Sequence, residues 1–202
     1  MQYKKIFTTS QSARDKRFCI ETSILKHPNK ELSVIKSSLS PEANDHISSL
    51  VNKNKILTNK LKDSIEIVPV KLNSKSSVTF PYVIGYKVED LLINSIIDKN
   101  IENSLKIIDR LISILDTVNV SNVNPVLNPE YKKVFGNTPN TSTECYDIAI
   151  VDMNFDNIIQ KDNKRLTWNL IDYEWVFSFA VPRKILIGRV LFYFFHHKYG
   201  KL

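Results

Sequence analysis

The stretch Tyr146–Phe177, YDIAIVDMNFDNIIQKDNKRLTWNLIDYEWVF, is the one that decides how the rest of the chain is read. It has the pattern strand, loop, strand, short polar turn, strand. The apolar run Ile148-Ala149-Ile150-Val151 stops at Asp152, Asn157 follows five residues later, and Ile158-Ile159 come directly after it. A second apolar run, Leu166 to Ile171, delivers another acid, Asp172. Asp152, Asn157 and Asp172 thus stand at strand ends, where a rigid scaffold can aim them into one cleft.

That order of groups is what phosphoryl transfer requires. One carboxylate lies near the attacking hydroxyl, an amide oxygen follows on a metal, and a second carboxylate on the next hairpin holds Mg²⁺ against the nucleotide phosphates. The spacing Asp152-x-x-x-x-Asn157, then strand, turn, strand and Asp172, supplies them in sequence. Mg²⁺ fills much of its octahedral shell with phosphate and water oxygens, so one Asn and one Asp suffice and no His or Cys cluster is needed. The same residues also suit two ordinary β-hairpins, because Asp and Asn commonly initiate turns.

Asp152-Met153-Asn154-Phe155-Asp156-Asn157 resembles the catalytic loop D-x-x-x-x-N of the protein-kinase-like fold, and Ile171-Asp172-Tyr173-Glu174-Trp175 is similar to its metal-binding segment. The closer similarity is to the small-molecule branch, namely aminoglycoside and choline phosphotransferases and lipopolysaccharide core sugar kinases. In that branch an acidic or aromatic residue often replaces the Phe-Gly after the metal-binding Asp. The chain departs from the family at Ile150, which stands where the loop histidine, a structural residue, is found. The resemblance implies an α+β, two-lobed protein-kinase-like fold that uses ATP and Mg²⁺, with Asp152 catalytic and Asn157 and Asp172 as metal ligands.

The first part of the chain fits the smaller lobe. Tyr3–Thr8 and Arg17–Ser23 are β-prone runs joined by a polar loop, the place where the family covers the nucleotide phosphates; no glycine is present at this tip, and a solvated hairpin is the plainer reading. Glu31–Lys36 is a third strand ending in a lysine on the same face as Val34. By resemblance to the V-A-I-K strand, Lys36 contacts nucleotide phosphates. Ser40-Pro41-Glu42 opens a helix with an N-cap hydroxyl, proline at the first position and an acid in the first turn. Its stripe is Ala43, Ile47, Leu50, Val51, Leu57 and Leu61. Glu42 has two readings of equal weight: the family's partner for the strand lysine, or an acid on the helix dipole. Two more strands, Ile65–Leu72 and Ser77–Ile84, follow. By its place in the order of elements, the segment containing Phe80, Tyr82 and Val83 corresponds to the hinge that reads an adenine.

The second part is helical. Ile101–Val118 shows an amphipathic stripe of Ile101, Leu105, Ile108, Leu111, Ile112 and Leu115. Asn119–Thr143, rich in Pro, Asn, Ser and Thr, reads as a long irregular connection flanking the acceptor site. A final helix spans Arg183–Tyr199. Its Leu191, Phe192, Phe194 and Phe195 are more apolar surface than one face can bury in a lobe this small, which points to a second chain, a downstream domain or a membrane surface.

Composition narrows the class. With 202 residues and 43% hydrophobic content the chain can bury a core, as one domain or two small lobes. The net charge of +7 is carried by lysines dispersed along the chain, which favours phosphate-bearing ligands over a specific nucleic acid. Cys19 and Cys145 have neither zinc nor disulfide spacing. The N-terminus lacks an apolar signal core and no run reaches membrane-spanning length, which points to the cytoplasm, with peripheral contact at the inner membrane face through the final helix.

The expected organisation is a nucleotide-binding lobe over residues 1–84 and a minimal catalytic lobe over 85–202. The expected activity is ATP- and Mg²⁺-dependent transfer of phosphate to a hydroxyl of a small molecule or glycan, in the setting of cell-envelope polysaccharide assembly. The rival is a pseudokinase-like module that binds a nucleotide or a partner protein without catalysis. A third reading is an interaction protein that shares only the hairpins.

Overall fold

The computed structural model describes residues 3–61, 63–161 and 167–201. Leu166, expected to start a strand, lies outside them. The chain forms an α+β structure that divides into two compact units, the first covering Met1–Asn59 and Ile67–Ile84, the second Lys60–Glu66 and Gly85–Leu202.

The first unit begins with strands β1 (Lys4–Ser10), β2 (Ile20–Lys26) and β3 (Leu32–Ser38), then helix α1 (Asn44–Leu61). A two-residue strand at the unit boundary, β4 (Glu66–Ile67), precedes β5 (Lys71–Ser74) and β6 (Ser77–Pro81). β1, β2, β3, β6 and β5, in that order, make one antiparallel sheet of five strands. Its register pairs Thr22 with Lys36 and Lys36 with Val78, so these residues share a face with Ile24, Val34 and Phe80. Ile20 and Val78 on that face are fully buried, as are Ile47 and Leu57 of α1. Each such side chain contributes about 1.5–3 kcal/mol by leaving water. Two polar contacts fasten α1: Ser38 Oγ donates to Asn44 Oδ1 at 2.6 Å, and Asn54 Nδ2 donates to the Val68 carbonyl at 3.0 Å.

The loop between β1 and β2 differs from expectation. Arg17 and Phe18 are not in a strand; they lie in a 3₁₀ turn, Lys16–Phe18, because the Asp15 carboxylate accepts from the Arg17 backbone N–H at 3.0 Å and caps the turn. The buried Cys19 thiol donates towards the carbonyls of Arg14 (3.1 Å) and Asp15 (3.4 Å), which gathers the loop backbone inwards.

The main stretch of the second unit starts at Gly85. A Cβ there would lie 2.4 Å from the Gln160 carbonyl oxygen, so only glycine allows this approach. Then come β7 (Tyr86–Lys87), α2 (Val88–Ile97), α3 (Ile101–Leu115), β8 (Val120–Val123), α4 (Pro129–Phe135) and β9 (Thr143–Tyr146). The unit closes with β10 (Ala149–Ile150), β11 (Ile158–Gln160), β12 (Trp168–Leu170), β13 (Val176–Phe177), β14 (Val181–Pro182) and α5 (Arg183–Phe192). β12, β11 and β7 are adjacent strands edged by Glu66, β14-β9-β8 form a second sheet, and β10 pairs with β13.

Three expectations for this unit are corrected. The α3 stripe is only half buried: Leu111 and Leu115 are inside, whereas Ile101 and Leu105 are 72% and 53% exposed. The reason is the contact with α2, made through Ser95 and Ser104, whose hydroxyls lie 2.7 Å apart; small polar residues face the neighbour and turn the first apolar residues outward. The Asn119–Thr143 segment is not irregular, for it contains β8, a 3₁₀ turn at Pro125–Leu127, and α4. Its Asn and Pro residues are helix starts: Asn128 Oδ1 accepts from Glu130 N at 2.8 Å, and Pro129 occupies the first helical position. The final helix is α-helical only to Phe192 and then widens into a π turn over Tyr193–Lys198. Phe194 is buried against Phe155 at 5.4 Å, while Phe192 and Phe195 remain exposed. No helix among the described residues is long and apolar enough to cross a membrane.

Candidate active site

The loop between β10 and β11 is built by hydrogen bonds that tie it to the following hairpin. Asp152 is 9% exposed, and its Oδ2 accepts from the Trp175 backbone N–H at 2.7 Å. Trp175 is in reach because β10 pairs with β13, matching Ile150 to Val176, and because Val151 N–H donates to the Trp175 carbonyl at 2.9 Å. Thus the strand that ends at Asp152 and the segment that begins at Asp172 are locked in one register.

Asn157 completes the loop. Its Nδ2 donates to the Asp152 carbonyl at 3.0 Å, and Asn154 N–H donates to the same carbonyl at 2.7 Å. With the amide nitrogen of Asn157 used in this way, its oxygen is the end left to coordinate. Ile158 faces Leu170 in the β11–β12 pair, and Ile171 N–H donates to the Asn157 carbonyl at 2.9 Å. Asn157 therefore stands opposite Ile171, one residue from Asp172. The Asp172 carboxylate accepts from Glu174 N–H at 3.3 Å, a turn that bends the chain after the acid. An oxygen-rich loop of this kind suits a hard cation. No group of three His, Cys, Asp or Glu side chains able to hold a metal occurs among the described residues, so an ion here would draw most ligands from phosphate and water.

Asn154, inside the same loop, is 6% exposed and its Oδ1 is a buried atom without a hydrogen-bond partner. Asn154 occupies an unspecified position of the D-x-x-x-x-N pattern, so the sequence carries no signal for it.

The remaining expected residues belong to the first unit. Lys36, at 4% exposure, has its ammonium 6.0 Å from the centroid of the buried Phe80 ring. Tyr82 is 39% exposed and its N–H donates to the Leu32 carbonyl at 3.3 Å; Val83 is half-buried. Glu42 is exposed in the turn Pro41–Ala43. Its carboxyl is held below the usual range by its own backbone N–H, then by the Ser40 hydroxyl, with a smaller contribution from the Lys16 charge. Those contacts belong to the start of a helix.

Two features near the loop escaped the sequence reading. Asp116, at the end of α3, accepts from two guanidinium nitrogens of Arg183, Nε and Nη2 (2.8 and 2.7 Å), and from the Tyr146 hydroxyl (2.5 Å). Arg183 chiefly holds the Asp116 carboxyl below its ordinary value, while burial first and then Asp116 push the Tyr146 hydroxyl up. This cluster pins α5 and β9 to α3. The second feature is a group of aromatic rings, Trp175, Phe177, Phe179, Phe135 and Tyr131, assembled from α4 and the segment after Asp172. The alternation Trp175-x-Phe177-x-Phe179 is visible in the sequence and places three rings on one side of an extended chain.

No family model and no curated protein matches the sequence. Solved structures do. The chain is similar to the macrolide 2'-phosphotransferase MphH from Brachybacterium faecium, at 9% identity and a TM-score of 0.46, over 93% of this chain and 70% of that one. It is similar to APH(2")-IIa in a ternary complex with streptomycin and ATP, at 13% identity and a TM-score of 0.48, over 95% and 78%. ADP-bound aminoglycoside phosphotransferase APH(2'')-Ib gives 13% identity and 0.48, over 96% and 78%. At such identities and scores the chemistry has to be argued from this chain's own residues.

Proposed function

We propose that the protein is a kinase-like phosphotransferase that moves a phosphoryl group from ATP to a hydroxyl of a small molecule or glycan. The observation that carries the reading is the locked loop. Asp152 is oriented by the Trp175 N–H, Asn157 is pinned to the Asp152 carbonyl, and the Asn157 carbonyl is tied to the residue before Asp172. A carboxylate for the hydroxyl and an amide and a carboxylate for a metal are thereby held by one backbone network.

Asp152 orients the acceptor hydroxyl and takes its proton. Asn157 and Asp172 would hold Mg²⁺ through their side-chain oxygens, and the magnesium nucleotide would supply the phosphoryl group. Lys36 would contact the nucleotide phosphates, and Phe80, Tyr82 and Val83 would serve the adenine. Glu42 retains its two roles, partner of Lys36 or helix-start acid, and the contacts with Ser40 and Lys16 favour the second. A cytoplasmic setting and a place in cell-envelope glycan assembly accord with this reading.

A second reading, a non-catalytic nucleotide- or protein-binding module, is favoured by one observation: the β1–β2 loop has no glycine, and its carbonyls are drawn to the Cys19 thiol. The two readings separate in a calorimetric titration with ATP and Mg²⁺ followed by a phosphate-transfer assay. The enzyme binds ATP in a metal-dependent way, loses that dependence in Asp172→Asn, and transfers phosphate. Binding without transfer to any hydroxyl compound supports the module, and absence of binding removes the enzyme and leaves only a protein-binding module.

A further inference from the structure

We propose that the cavity beside the β2–β3 turn of the first unit binds a small anion carrying two or more phosphate groups. The cavity measures about 620 Å³ and is lined by Tyr3, Lys4, Lys26, His27, Pro28 and Lys30. Its three lysines come from three places: the start of β1, the end of β2 and the tip of the turn. The register of the sheet sets Lys4 directly opposite Lys26. Like charges that face each other across a strand pair destabilise it, and an anion placed between them turns the repulsion into attraction. Lys30 sits at φ +68°, the left-handed region that glycine or asparagine adopts with less strain. Backbone hydrogen bonds fix it there: Lys30 N–H donates to the His27 carbonyl at 2.9 Å, and His27 N–H donates to the Glu31 carbonyl at 2.9 Å.

Among the described residues, no ion pair or hydrogen bond engages the ammonium group of Lys4, Lys26 or Lys30. The acid of the turn, Glu31, lines the neighbouring cavity together with Lys71 and is not among the residues around this one. Lysines on an outer strand commonly keep it from pairing with another chain, which accounts for Lys4 on β1. That does not account for Lys26, whose strand is paired on both sides, or for Lys30 in a turn. The volume then selects the ligand. A cavity of about 620 Å³ is the size of a small-molecule site and more than a single phosphate fills. Lysine presents a compact charge to phosphate oxygens, so the facing pair Lys4 and Lys26 suits one phosphate and Lys30 the next. The place is separate from the one proposed for the nucleotide. Lys26 lies four residues along β2 from Thr22, the partner of Lys36, which is roughly 13 Å of strand. No residue of the phosphotransferase reading lines the cavity, so the two inferences stand apart.

The test is calorimetry of the full chain with inorganic tripolyphosphate, without nucleotide or metal and at constant ionic strength. Tripolyphosphate binds saturably, one per chain, and about tenfold or more tighter than sulfate. Lys26→Gln weakens that binding by about tenfold or more, and Lys36→Met leaves it unchanged, which separates this cavity from the nucleotide site. Should Lys26→Gln prove unfolded by circular dichroism, Lys30→Asn, which suits a left-handed turn, carries the same expectation. Vesicles identify the source of the phosphates. Cosedimentation with phosphatidylcholine vesicles that contain a phosphoinositide bisphosphate, lost in Lys26→Gln, assigns the site to a lipid headgroup; tripolyphosphate binding without cosedimentation assigns it to a free ligand. Equal affinity for sulfate, unchanged affinity in the folded Lys26 or Lys30 variant, or loss of binding in Lys36→Met overturns the proposal. ATP calorimetry is the separate arm: failure of ATP and Mg²⁺ to bind removes the phosphotransferase reading and leaves this site standing.

Discussion

Lys36 in the first unit and Asp152 in the second are both buried ionisable side chains, at 4% and 9% exposure, yet the two units house them by different means. Lys36 sits in mid-strand, its pairing fixed by Thr22 and Val78 on the flanking strands, with its ammonium above the Phe80 ring. Asp152 stands where a strand has stopped, and its loop is set by the Trp175 N–H on its carboxylate and by the Asn154 N–H and the Asn157 side-chain amide on its carbonyl. Strand register fixes the place of Lys36 in the sheet, whereas hydrogen bonds at a strand end fix the place of Asp152. The difference teaches what a substitution can disturb: main-chain strand pairing at position 36 survives a change of side chain, whereas the Asp152 loop loses a side-chain acceptor directly.

The largest effect expected from probing this contrast is at Asp152. Asp152→Asn keeps an oxygen for the Trp175 N–H, so the fold and ATP affinity persist while phosphate transfer falls by roughly 10²–10⁴-fold, measured by steady-state kinetics beside calorimetry. A variant that transfers at the wild-type rate would show that the locked carboxylate has no part in the reaction.

Lys36→Met comes next. It keeps the aliphatic stem and removes the charge proposed to meet the nucleotide phosphates, so ATP affinity drops by about tenfold or more in calorimetry. An unchanged ATP affinity would show that the ammonium does not meet the nucleotide, and that the strand serves only the sheet.

A smaller effect is expected from Asp116, a partly exposed charge that serves as the reference case. Its carboxyl is held low by Arg183 and Tyr146, so its stabilising contribution is complete above the ordinary carboxylate pKa of about 3.9 and is lost as pH falls through the lower folded value. Thermal melts of the wild type and Asp116→Asn should therefore differ at neutral pH and converge in strong acid. Curves that stay parallel down to acid would show that the Arg183 pair contributes nothing.

The smallest change concerns Asn154, whose buried Oδ1 makes no hydrogen bond. Asn154→Leu should shift stability by no more than about 1 kcal/mol, in either direction, because the lost oxygen had no partner to leave behind. A loss of several kcal/mol in a denaturant titration would show that the loop depends on Asn154 as it does on Asn157.

The sequence by itself determined the parts that depend on local chemistry. Apolar patterning specified β3 and β6, and the stripe at Ile47, Leu50 and Leu57 specified α1, because burial period is written in neighbouring residues; β2 starts at Ile20 and not at Arg17, and Ser40 caps no helix because its hydroxyl donates to the Lys16 carbonyl at 2.8 Å. The strand-end positions of Asp152 and Asp172 were legible for the same reason. What only the tertiary structure decided were relations between distant residues. The outward turn of Ile101 and Leu105 follows from the Ser95–Ser104 contact between helices, which no single helical stripe records. α4 was hidden because the Asn and Pro residues that cap a helix are the same types that make a loop. The hold of Trp175 on Asp152 is a main-chain hydrogen bond across 23 residues; main-chain donors carry no side-chain signature, so only the folded pairing of β10 with β13 could reveal it.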